Sequence, residues 1–110
     1  MKVNELGKFG EDMAAKYLEL QGYCIQCRNF RCRAGEIDLV ASKGGTLHFI
    51  EVKTRRGDLF GTPEESVTKM KQAHMRQAVQ RYLSLIPESG RSRKPQMDVI
   101  AIRIDHIEDI

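Results

Sequence analysis

Glu36, Asp38, Glu51 and Lys53 are charged residues set into two short apolar runs, GEIDLV and HFIEVK, on either side of Gly44-Gly45. A glycine pair between alternating runs signals a two-residue hairpin turn, because both residues can take positive φ. In that register Lys43 faces Thr46, Asp38 faces Glu51 and Glu36 faces Lys53. Side chains alternate along a strand, so all four emerge on one face. Facing carboxylates are ordinarily avoided in a sheet. At about 4 Å two unit charges repel by roughly 1 kcal/mol in water and roughly 4 kcal/mol at an effective dielectric of 20. A hard divalent cation reverses the sign of that cost. Asp38, Glu51 and the carbonyl of Val52 offer the oxygen ligands that Mg²⁺ or Mn²⁺ takes, with waters completing an octahedron. Lys53 could then hold or deprotonate an attacking water, or steady a phosphate oxygen. The same residues also read as two solvated strand faces carrying an ordinary Glu–Lys ion pair, since E-x-K triplets are common. The pattern alone leaves both readings open.

The elements that would position these residues can be read in chain order. Residues 4 to 21 read as a helix with Asn4 as N-cap and Gly22 as its stop. Its apolar stripe of Leu6, Phe9, Met13, Tyr17 and Leu20 is expected to face the core. Gly7, Gly10, Ala14 and Ala15 are small enough for close approach to a neighbour, and Glu11 lies on their flank, where it reads as a boundary carboxylate. Tyr23 to Phe30 reads as a first strand and leads into Arg28, Arg31 and Arg33. These arginines suit either a solvated rim or phosphate oxygens. After Lys53 come Arg55 and Arg56, then a loop through Leu59-Phe60-Gly61-Thr62-Pro63.

Thr62-Pro63-Glu64-Glu65 fits a capping box, with a second possible start at Thr68, for a helix running to about Leu85. Its expected buried stripe is Met75, Val79, Tyr82 and Ile86. Lys69, Lys71, Arg76 and Arg81 lie mostly outside that stripe, and so much unbalanced positive charge favours a polyanion. Residues 97 to 104 read as a strand apolar enough for the sheet interior, with Asp98 at its entrance. Ile107 and Ile110 would add an edge strand or dock loosely. Helix, three strands, helix, strand argues an α/β domain over residues 1–110, with a mixed central β-sheet flanked by helices.

GEIDLV, a short turn and FIEVKTR together resemble the core of the PD-(D/E)xK nucleases, the restriction-endonuclease-like fold. In detail the chain is similar to the YraN-like family, and in layout to archaeal Holliday-junction resolvases. That resemblance implies a Mg²⁺- or Mn²⁺-dependent endonuclease acting on DNA. Asp38 and Glu51 would hold the metal, Lys53 would orient the attacking water, and Glu11 would join as a third acid from the first helix. Glu36 would either pair with Lys53 or tune the metal. Arg28, Arg31, Arg33, Arg55, Arg56, Lys69 and Lys71 would bind the nucleic-acid backbone, largely without sequence preference. Branched DNA as substrate and a homodimer follow from the same likeness. The rival reading is a non-catalytic nucleic-acid-binding adaptor on the same fold.

Composition is compatible with both. The 110 residues suffice for one core, the net charge is +3, and 30% of residues are charged. No apolar run nears the ~20 residues that span a bilayer, and no signal-peptide core is apparent, so a cytoplasmic protein is expected. Cys24, Cys27 and Cys32 are one thiol short of a four-cysteine zinc site, and ordinary reduced thiols are the better expectation.

Overall fold

The computed structural model describes residues 2–57, 68–91 and 94–110. In chain order the elements are α1 (Val3–Leu20), β1 (Cys24–Cys32), β2 (Gly35–Lys43), β3 (Thr46–Arg56), α2 (Lys69–Leu85), the single turn α3 (Glu88–Arg91) and β4 (Lys94–Ile104). The strands form one sheet in the order β1-β2-β3-β4. Neighbours are antiparallel from β1 to β3, and β4 runs parallel to β3. A parallel neighbour requires a crossover, and α2 lies within it.

The hairpin closes at Gly44, whose φ of 60° lies in the left-handed region that glycine enters without steric cost. Pairing starts at Lys43–Thr46, as the spacing predicts, and proceeds through Ser42–Leu47, Ala41–His48 and Val40–Phe49 to Leu39–Ile50. There it stops. The anticipated Asp38–Glu51 and Glu36–Lys53 pairs do not form, although both strands run on. Beyond Leu39, β2 stays with β1 through Phe30–Ile37 and Arg31–Glu36. Beyond Ile50, β3 stays with β4 through Glu51–Val99 and Lys53–Ala101. The centre of the sheet therefore forks.

A local irregularity lies beside Asp38. Asn29, its neighbour across β1, takes φ 55°, a region where Asn is among the few tolerated side chains. The pleat changes phase there: Ile37 and Val40 join the same core cluster although they are three positions apart. Strict alternation forbids that; the four charged residues nonetheless line one cavity at the fork.

Among the described residues, α2 packs on one face of the sheet and α1 on the other. Ile37, Val40, Leu47 and Phe49 pack against Met75, Ala78 and Val79 of α2. Leu39, Ala41 and Ile50 pack against Ala14, Ala15 and Leu18 of α1. The α2 stripe agrees with expectation, with Tyr82 and Ile86 partly buried and the Tyr82 ring edge-on to Phe30 and Phe49. Thr68 caps α2, its side-chain oxygen accepting from the Lys71 N–H at 3.2 Å. The capping box at Thr62–Glu65 and the loop through Leu59–Pro63 lie outside the described residues.

For α1 the expected face is wrong. Phe9, Met13, Tyr17 and Leu20 are 41–73% exposed, whereas Ala14 and Leu18 are 1% and 4% exposed. The small residues are the buried ones because this helix lies very close to the sheet. A Cβ built on Gly10 would sit 1.7 Å from Thr54 Oγ1. The N-cap is Lys2, not Asn4, and the Lys2 backbone N–H donates to Glu5 Oε2 at 3.0 Å. Two further expectations fail at the C-terminal end. β4 is an edge strand, not an interior one. Ile107 and Ile110 form no strand and are exposed. Among the described residues no helix is long and apolar enough to cross a membrane.

Candidate functional site

The fork gathers the charged residues by a route other than the one their spacing suggests. Asp38 turns its carboxylate to β3 and accepts the Val52 N–H at 2.7 Å, a side-chain bond where the ladder has ended. On its other side lies the Glu11 carboxylate, which α1 brings in through its tightly packed flank and which lines the same cavity. Burial pushes the Asp38 pKa up to about 7. The Glu51 and Glu11 charges push the same way, and only the Val52 N–H pulls it down. Glu51 reaches Lys53 Nζ at 3.0 Å, with both side chains about one-fifth exposed. Glu36 pairs with Arg31 at 3.2 Å and not with Lys53.

Two cavities flank the fork. One of about 330 Å³ opens towards α1 and is lined by Glu11, Asp38 and Lys8 with Asn29 and Arg31. The other, of about 310 Å³, opens towards α2 and is lined by Gly35, Lys71, His74 and Met75. Glu36, Glu51 and Lys53 line both.

The donor set is of the right kind for a hard cation: carboxylates from three elements, with the Val52 carbonyl one peptide away from Glu51. As they stand, these oxygens are engaged with one another and with Lys53. Among the described residues no three His, Cys, Asp or Glu side chains close round a common point. A metal here would share Glu51 with Lys53, which takes its Oε1, and would favour the ionised form of Asp38. The cysteines are free thiols, and Cys27 and Cys32 pack against the α2-side core.

The basic residues separate into two groups. Arg28 is ion-paired with Asp12 at 2.5 Å and holds that carboxyl below its usual range. Arg31 is held by Glu36, and Arg33 is exposed in the turn before β2. Lys71 lies beside Lys53, whose neighbouring ammonium lowers its pKa, and Arg55 acts on it in the same sense. Arg55 Nε is buried with no hydrogen-bond partner among the described residues. Arg56, at the end of β3, and Lys69, at the start of α2, are exposed.

Sequence reasoning missed His74 and Lys8. The signal for His74 was its position three residues after Lys71, on the same side of α2. Asp98 proves to be a structural acceptor. It takes His48 Nδ1 at 2.6 Å and Gln96 Nε2 at 2.8 Å, and it lines neither cavity.

Comparison with known proteins bears on the same stretch. A family model described as "Uncharacterised protein family UPF0102" matches residues 10–102. A UPF0102 protein of Caldicellulosiruptor saccharolyticus is 45% identical over 83 residues, covering 76% of this chain and 70% of the relative. One from Rhodococcus opacus is 48% identical over 102 residues, covering 92% and 84%. One from Beutenbergia cavernae is 38% identical over 113 aligned residues, covering 96% and 94%. With the matched span running from the helix that carries Glu11 to the last strand, the chain belongs to the UPF0102 family.

Proposed function

We propose that this protein is a Mg²⁺- or Mn²⁺-dependent endonuclease that hydrolyses phosphodiester bonds in DNA. The observation that carries the reading is the convergence of Glu11, Asp38 and Glu51 on one cavity beside Lys53, from three different elements. Three acids this close, one of them substantially desolvated, repel one another; a divalent cation turns that repulsion into coordination. Glu11, Asp38, Glu51 and the Val52 carbonyl would hold it, and when bound it supplies Lewis acidity and neutralises charge at the phosphate. Lys53, released from Glu51, would orient the attacking water. Water adds in line at phosphorus and the bond to the leaving oxygen breaks, giving a phosphomonoester and a hydroxyl. The resemblance to PD-(D/E)xK nucleases supports this reading, and the likeness to resolvases makes branched DNA the first substrate to try. Cutting both sides of a junction would take two copies of the chain.

The closed Glu51–Lys53 pair favours a second reading. In it the protein is a nucleic-acid-binding adaptor that keeps this arrangement without turnover. One assay decides between them. Junctions, flaps, duplexes and single strands of DNA, with RNA as comparison, are incubated in Mg²⁺ and in Mn²⁺ with wild type, Asp38→Ala and Lys53→Ala. The enzyme reading expects metal-dependent cleavage reduced at least about 100-fold in both variants. Binding without cleavage, or cleavage that all three proteins share equally, leaves the adaptor.

A further inference from the structure

We infer that the cavity on the α2 side of the fork is a phosphate pocket, with Lys71 and His74 donating to the oxygens of one phosphodiester. The inference rests on the polynucleotide reading above and assigns a division of labour within it.

The two cavities share Glu36, Glu51 and Lys53 but differ in what they add. The α1 side adds Glu11 and Asp38, which are acceptors when ionised. The α2 side adds Lys71 and His74, which bring N–H donors. Both shared carboxylates are already engaged, Glu36 by Arg31 and Glu51 by Lys53. Among the described residues neither Lys71 nor His74 takes part in a salt bridge.

Lys53 and Lys71 lie side by side; the Glu51 carboxylate acts on the Lys71 ammonium in its favour and Arg55 against it, with the net effect of its neighbours against the charge. Cations crowded in this way are relieved by an anion between them. His74 is placed to join them. A Cβ built on Gly35 would lie 3.8 Å from His74 Cβ, so His74 stands against the first residue of β2, where the fork is open. Lys71 and His74 are three apart on a helix and so present to the same side.

The cavity is about 310 Å³ and open, enough for a phosphate with its adjoining sugar. A phosphodiester oxygen there meets the Lys53, Lys71 and His74 donors, while the two carboxylates of the lining are held by Lys53 and Arg31. Glu11 and Asp38 on one side of the fork and Lys71 and His74 on the other would place the attacking water and the phosphate oxygens in separate compartments.

The test is equilibrium binding without divalent metal, which makes it independent of turnover. The probes are a labelled single-stranded DNA oligonucleotide and the same oligonucleotide with neutral methylphosphonate linkages. Lys71→Ala and His74→Ala should each weaken binding of the phosphodiester about 10-fold, the scale of one charge-assisted hydrogen bond. All three proteins should bind the methylphosphonate alike, and Lys71→Arg should bind the phosphodiester as wild type does. Both side chains lie at least partly exposed on α2, so folding should be unaffected. Variants that bind the phosphodiester as wild type does, or lose affinity equally for both probes, overturn the pocket.

A second arm separates this failure from failure of the polynucleotide reading. Inorganic phosphate is titrated while the His74 imidazole is followed by NMR. A response that Lys71→Ala abolishes, in a protein that binds no oligonucleotide, supports the pocket and removes the polynucleotide. No response in either arm removes the pocket.

Discussion

At the residue scale the site turns on one carboxyl. Asp38 ionises more easily in the unfolded chain, near 3.8, than in the fold, where its pKa is raised to about 7. Between those values the native state holds a proton that the unfolded state has released, so stability falls as pH rises from about 4 to 7 and then levels. Asp38→Asn should flatten that slope, which urea titrations at several pH values would show; an unchanged slope would place the titrating group elsewhere. A divalent cation held as proposed would compete with the same proton. Adding Mg²⁺ should therefore raise the melting temperature of wild type at pH 8, have little effect at pH 5, and do neither in Asp38→Asn. Glu51 is subject to a similar competition, with Lys53 in place of the proton. Lys53→Ala should consequently tighten metal binding, measured by calorimetry, while lowering cleavage.

At the element scale, how α1 is seated decides whether Glu11 reaches the site. The stripe of Phe9, Met13, Tyr17 and Leu20 is the obvious apolar face, yet it is the outer one. Side-chain size suggested a core, but the approach of Gly10 to Thr54 admits only small residues. That approach depends on the sheet as well as the helix, so helical periodicity could not show it. Glu11, read as a boundary residue, lies on the flank that this seating turns inward. Leu18→Ala should cost about 2–5 kcal/mol and Tyr17→Ala under about 1 kcal/mol, compared by urea denaturation. Gly10→Ala should cost about 1–3 kcal/mol, part of it recovered by Thr54→Ala. Additive losses in that pair would mean that the two residues do not meet.

At the scale of the whole molecule, the hairpin was legible because glycine turns and alternation are local properties. The fork was not, because it depends on which neighbour each strand keeps beyond the hairpin, β1 for β2 and β4 for β3. What the fork achieves is a site reached from both layers: Glu11 and Asp38 line it only on the α1 side, Lys71 and His74 only on the α2 side, and Glu36, Glu51 and Lys53 line both. This arrangement predicts separable losses of function. Asp38→Ala and Glu51→Ala each remove a negative charge near the path of a polyanion, so DNA binding should hold or tighten while metal-dependent cleavage disappears. Replacing Arg55, Arg56, Lys69 or Lys71 acts on the polyanion before any bond breaks. Binding should weaken for all sequences alike, and the slope of log K against log salt should become shallower by about one unit for each phosphate no longer neutralised. Arg28 should behave differently, because its charge is already taken by Asp12, and Arg28→Ala should leave the salt slope near that of wild type. The measurement is a salt titration of binding beside cleavage on the same preparations. If the acid variants lose binding as steeply as the basic ones, the two layers are not doing separate jobs and the division drawn at the fork is wrong.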